Sequence, residues 1–189
     1  MAKKINPNRI PVTMSEANLD AMIARVSNES SYHAWLLLLA AYSNLHSTSC
    51  DSIVELWKNT YTEQSEFKGF GDVQTRLNEM ENETGVHIEL DRIDPDGIGT
   101  EGDLLRFQKR LSKNSLWAAL CVILETVDRN AMLQEEEVNS IWKRIAATVE
   151  EINDGQLSFK DIEDMLEDEY QVKLLNTEEG VKMALLEEI

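Results

Sequence analysis

Three prolines and eight glycines in 189 residues leave little to interrupt a helix. Two cysteines, Cys50 and Cys121, with no CxxC spacing between them, exclude a disulfide scaffold and a cysteine-ligated structural metal. They read as reduced core thiols beside or within apolar helical segments, which suits a cytosolic protein, with a disulfide between them the lesser reading. No apolar stretch is long enough to span a bilayer: the longest, Ala34 to Tyr42, covers nine residues. Met1 to Val12 has charge but no apolar core of a signal peptide. Positive charge is also scarce. With 18 basic and 35 acidic side chains the net charge is −17, which argues against direct nucleic-acid binding, because that affinity rests on neutralising phosphates. The same imbalance fits a basic protein partner.

What the chain does have is a loose internal echo. Leu19 to Leu90 reappears as Leu104 to Leu175. Arg25-Val26-Ser27 answers to Arg110-Leu111-Ser112, Trp35 to Trp117, and Trp57-Lys58 to Trp142-Lys143. Val73 and Leu77 answer to Ile162 and Leu166, and Val86-His87-Ile88 to Val172-Lys173-Leu174. The offset drifts between 82 and 89, so insertions fall between elements, where loops tolerate them. The four tryptophans recur in register and read as duplicated core positions.

Hydrophobic periodicity then gives a mostly α protein with two four-helix repeats. Residues 1–12 form an extended basic arm (Lys3, Lys4, Arg9, with Pro7 and Pro11). Repeat 1 spans 13–90. A first helix of about 14–27, capped by Thr13 or Ser15, shows Leu19, Met22, Ile23 and Val26 on one stripe. A second, Ser30 to Leu45, is apolar nearly all round. A third begins near Asp51, and Lys68 to Gly71 breaks it. A fourth, Asp72 to Glu83, is closed by Gly85. Val86 to Leu90 alternates as a short strand. After a linker, 91–100, repeat 2 (101–175) runs through Leu104–Leu111, Leu116–Val127, Val138–Val149 and Phe159–Leu166. It ends in a short extended piece at Val172–Leu175. That piece is expected to pair with Val86–Leu90, since neither satisfies its backbone alone. A C-terminal helix is expected over 176–189, carrying Val181, Met183, Leu185, Leu186 and Ile189, with Gly180 in its first turn.

No catalytic constellation emerges. Glu150 to Asp161 has the outline of a calcium loop, with Gly155 at position six. But Ile152 stands where an oxygen ligand belongs, and Asp161 is shorter than the closing Glu. The same residues make a helix-to-helix turn: Gly155 ends one helix, Ser158 caps the next, and Asp161 closes a shortened capping box. Asp94-Pro95-Asp96-Gly97 reads as a turn, because Arg92 takes the first ligand position. His33, His46 and His87 are scattered. His46 and Cys50 lie four apart across an expected helix break at Ser47 to Ser49, and two ligands do not make a zinc site. Neither a metal nor another cofactor is implied.

The strongest local feature is acidic. Glu150 to Glu169 holds nine acidic residues against Lys160 alone, a local charge of −8. Glu150, Glu151, Asp154, Glu163, Asp164, Glu167 and Asp168 are the candidate partner-binding ridge, with Glu163 and Asp164 expected on the open face of a helix begun at Ser158.

Two stretches resemble a known group. Lys3-Lys4-Ile5-Asn6-Pro7-Asn8-Arg9-Ile10-Pro11-Val12-Thr13 resembles the opening of small helical proteins carried by prophages and conjugative elements of Gram-positive bacteria. The run from Trp142 through Gly155, Ser158, Asp161, Leu166 and Glu169-Tyr170 to Val172 resembles their close. Repeat 1 departs from that close, with Glu83-Thr84-Gly85 where Glu169-Tyr170-Gln171 stands later. The resemblance implies a mobile-element setting in a bacterial cytoplasm and brings no catalytic residues. Together with the charge, it gives the expectation of a non-enzymatic inhibitor of a basic, nucleic-acid-binding host defence enzyme, anti-CRISPR-like, with no membrane partner. A structural or assembly protein of the element is the alternative.

Overall fold

The computed structural model describes residues 11–45, 48–61, 70–129 and 133–186, and the side chains of 61, 70, 71, 128 and 129 are not described. The basic residues of the arm (Lys3, Lys4, Arg9) and His46 lie outside these residues, as do Lys68 and Gly69 of the expected break. Six α-helices and one two-stranded sheet make up the described residues: α1 (Glu16–Leu45), α2 (Cys50–Tyr61), α3 (Phe70–Thr84), α4 (Glu101–Arg129), α5 (Glu135–Asn153), α6 (Phe159–Tyr170), β1 (Val172–Thr177) and β2 (Gly180–Leu185).

The two helices expected over 14–27 and 30–45 are one helix of 30 residues, and those expected around 104–111 and 116–127 are one of 29. Among the described residues each half therefore has three α-helices in place of the expected four. The reason is local. Ser27-Asn28-Glu29-Ser30 and Ser112-Lys113-Asn114-Ser115 are polar but contain neither Gly nor Pro, so nothing ends the hydrogen-bond ladder. The buried stripe of α1 runs through Met22, Val26, Ser30, Ala34 and Leu37 without a phase break. Its polar member is satisfied across the interface, where the Ser30 hydroxyl donates to the Ser112 carbonyl at 3.4 Å. In α4, Asn114 is buried yet bonded twice. It donates to the Asp91 carbonyl at 2.8 Å and accepts from the Asp91 N–H at 2.9 Å, pinning the linker to the helix.

Helix starts follow their caps. Ser15 accepts from the Asn18 N–H, and Thr100 forms a reciprocal pair with Asp103. Gln134 and Glu137, and Ser158 and Asp161, form two further capping boxes. Gly85 closes α3 at φ +75° and Gly155 follows α5 at φ +71°.

The extended pieces pair differently from expectation. Val86–Leu90 is not a strand. It lies extended, with Val86, Ile88 and Leu90 packed on the core. β1 instead pairs antiparallel with β2, from Val172↔Leu185 to Thr177↔Gly180, so residues 176–185 are the end of a hairpin and not a C-terminal helix. Glu178-Glu179 form the two-residue turn. Gly180 takes φ +117°, and the Thr177 hydroxyl donates to its carbonyl at 2.7 Å. Val181, Met183 and Leu185 repeat every second residue, which a strand uses directly and a helix scatters around its circumference.

One apolar cluster joins both halves. It contains Trp35, Leu37, Leu39, Leu56 and Met80 from the first and Trp117, Leu124, Trp142, Ile145, Leu166 and Val172 from the second. A smaller cluster, Met22, Val26, Phe107 and Leu111, fills the space between the opening turns of α1 and α4, with Ile93 and Ile98 of the linker against it. The start of the chain is tied in there: Pro11 bridges Thr100, and the Val12 N–H donates to the Gly99 carbonyl at 3.2 Å.

Candidate functional site

The turn from α5 to α6 is built as a cap-to-cap connection. The Ser158 N–H donates to an Asp161 carboxylate oxygen at 2.7 Å, and the Asp161 N–H donates to the Ser158 hydroxyl at 3.2 Å. The hydroxyl of Ser158 also donates to Asp161, at 2.6 Å, and these bonds hold the Asp161 carboxyl below its ordinary range. One of its oxygens, Oδ2, is thus committed to the cap. Among the described residues no three His, Cys, Asp or Glu side chains converge as metal ligands would.

The acidic ridge divides into tied and free members. Glu163 is half-buried and not on an open face: it accepts the Tyr32 hydroxyl of α1 at 2.7 Å. Ile162 and Leu166 set the inward face of α6, and Glu163 falls at its edge, beside α1. Burial first, and Glu163 second, raise the Tyr32 pKa well above the phenol range. Glu167 is half-buried against Lys173 at 2.9 Å, and Glu151 faces Arg144 at 3.7 Å. Asp164 is exposed but bonded to Lys160 at 2.6 Å. Glu150, Asp154 and Asp168 are exposed and take part in no ion pair among the described residues. These three form the open part of the ridge, at the corner where α5 meets α6 and at the far end of α6.

A second feature was not anticipated from the sequence. α1, α4, α5, the start of α6 and residues 85–88 enclose a groove of about 960 Å³. Its walls are Val86, Ile88, Leu116, Trp117, Ala146 and Phe159. His33 of α1 lies flat against Phe159, ring centroids 3.7 Å apart and planes within 6°. Burial lowers the His33 pKa, with Glu29 and Glu163 opposing, which disfavours the charged imidazolium. The charged lining is Lys109 and Lys113 from α4, Lys143 from α5, and Glu150 alone of opposite sign. A smaller recess of about 170 Å³ lies between the linker and α4, lined by Arg92, Arg106 and Arg110 together with Asp94 and Asp103. The sequence carries the signal: Arg106, Lys109, Arg110 and Lys113 recur at three- and four-residue spacing. The net charge of −17 hid it.

The remaining reactive side chains are inert or peripheral. Cys121 is buried, and burial pushes its thiol up to about 12. Cys50 is half-buried. His87 is exposed and pairs with Glu81 at 2.8 Å, which raises its pKa. The tryptophans pair within each half: Trp35 meets Trp57 at 4.4 Å and 54°, and Trp117 meets Trp142 at 5.3 Å and 55°. All four are buried, as core positions require. The described helices include none long and apolar enough to cross a membrane. Comparison with protein-family models, curated proteins and solved structures gives no match.

Proposed function

We propose that this chain is a non-enzymatic binding protein of a bacterial mobile element that acts in the cytoplasm, and that its open carboxylates engage a basic protein surface. The observation that carries the reading is the trio Glu150, Asp154 and Asp168, exposed and in no ion pair among the described residues, on a chain of net charge −17. Such carboxylates have no intramolecular ion pair to break on binding, and they steer a basic partner over long range. A partner built to hold phosphates, such as a nucleic-acid-dependent defence enzyme, fits that chemistry, and an anti-CRISPR-like inhibitor is the form the reading takes. The test is titration of wild type and the Glu150→Lys, Asp154→Lys, Asp168→Lys variant against a partner recovered from a Gram-positive host lysate. The reading expects affinity to fall in the variant and with added salt. Equal affinity for both proteins rejects it.

The duplication is part of the same proposal. Both halves run long helix, two shorter helices, extended piece. Residues the echo makes equivalent meet one another: Met22 and Val26 cluster with Phe107 and Leu111. Contacts between equivalent positions are what a pseudo-twofold axis between α1 and α4 produces. α3 and α6 also end alike, with Gly85 at φ +75° and Gln171 at φ +57° in equivalent places. This arrangement favours the second reading, a structural or assembly protein presenting two related faces. A partner that binds at two equivalents per chain, with affinity insensitive to the Lys variant, would select it over the first.

A further inference from the structure

We propose that the groove between α1, α4, α5 and residues 85–88 binds a small amphipathic anion, a phosphate monoester on an apolar or aromatic body. The first argument is charge. The chain has nearly two acids for every base, 35 against 18, so a surface lysine ordinarily finds a carboxylate. Lys109 and Lys143 are exposed and enter no ion pair among the described residues, and Lys113 has Asp91 at 3.2 Å. All three line one groove, opposed there by Glu150 alone. Convergent unpaired cations repel one another, and a bound anion relieves that repulsion.

The second argument is shape and lining. A volume of about 960 Å³ is the size of a small-molecule site, which typically spans roughly 300–1,000 Å³. The lysines come from two helices, while Trp117, Leu116 and Phe159 supply an apolar wall. His33, flat on Phe159, extends that wall. Cations beside an apolar wall select a ligand that is charged at one end and apolar at the other. The site is independent of the ridge proposed above: only Glu150 is common to both, and its charge opposes this ligand.

The test uses the full chain and four probes, read by Trp fluorescence and by isothermal titration. Octyl phosphate supplies an aliphatic body, adenosine 5′-monophosphate an aromatic one, inorganic phosphate the charge alone and octanol the body alone. At least one of the two monoesters should bind saturably, and both controls should bind about tenfold more weakly or not at all. Octyl phosphate as the better ligand assigns the site to lipid-derived phosphates, and adenosine 5′-monophosphate assigns it to nucleotides. Lys109→Ala and Lys143→Ala should each weaken binding about fivefold at low salt, with the loss shrinking as salt rises. Lys109→Arg with Lys143→Arg should restore most of it, and all variants should melt as wild type does. No saturable binding by either monoester overturns the proposal. So does wild-type affinity in the folded double alanine variant, or inorganic phosphate binding as well as the monoesters.

Discussion

At the scale of single residues, polar side chains that look like helix breaks are interface bonds. Asn114 returns both backbone groups of Asp91, and it is 3 % exposed. Asn114→Leu keeps the volume but orphans that N–H and carbonyl, so it should destabilise the fold by about 2 kcal/mol in urea unfolding. Tyr32→Phe should cost about 1 kcal/mol, since it removes the hydroxyl that Glu163 accepts and leaves the ring in place. Cys121 gives a pH prediction. Its thiol holds its proton longer folded than unfolded, where the pKa is about 8.5. Its contribution is therefore complete below that pH and is lost as pH rises towards the folded value of about 12. Unfolding midpoints should fall from pH 8 to pH 10 in wild type, and fall less steeply in Cys121→Val. Parallel slopes for the two proteins would remove Cys121 from the account.

At the scale of elements, caps and left-handed residues decide where helices stop. Gly85 has φ +75° and open space where a Cβ would stand, so Gly85→Ala meets no clash and pays only the backbone strain. That strain is about 1 kcal/mol, read as a lower denaturation midpoint. Gly155, at φ +71° with the same open space, should lose a similar amount on substitution to Ala. These positions were legible in the sequence because capping acts within four residues. The joined helices α1 and α4 were less so. Polar residues at 27–30 and 112–115 mark a break only if they face solvent, and solvent exposure depends on what packs alongside. The hairpin was misread for a related reason. Val181, Leu185 and Ile189 stand four apart as on a helix stripe, while Val181, Met183 and Leu185 alternate as on a strand, and β1 supplies the partner that selects the strand.

At the scale of the whole molecule, one apolar cluster draws on both halves, so neither half holds a core of its own. Far-UV circular dichroism and Trp fluorescence should therefore report the same denaturation midpoint, as a cooperative unit requires. Separate transitions would mean the halves unfold independently. Trp142, fully buried at the centre of α5, should cost about 3–5 kcal/mol on truncation to Ala and leave little folded protein. The triple Lys variant of the open ridge should by contrast leave stability within about 1 kcal/mol of wild type. Reversing Glu163 or Glu167 instead would break contacts to Tyr32 and Lys173, so the tied carboxylates are poor probes of partner binding.

Periodicity, capping residues and the scarcity of glycine and proline were enough by themselves to determine a helical protein, most of its helix ends, the turn at Gly155–Asp161 and the buried tryptophans. Each of these depends on interactions within about one or two helical turns, or on a side chain too apolar to leave in water. Only the tertiary structure decided that α1 and α4 are unbroken, that β1 takes β2 as its partner, and that Glu163 belongs to the interior edge of the ridge. It alone gathered Lys109, Lys113 and Lys143 around a groove with His33. Those features join residues from several elements, up to 131 positions apart in the Tyr32–Glu163 bond, and chain order carries no distance between them until the helices pack.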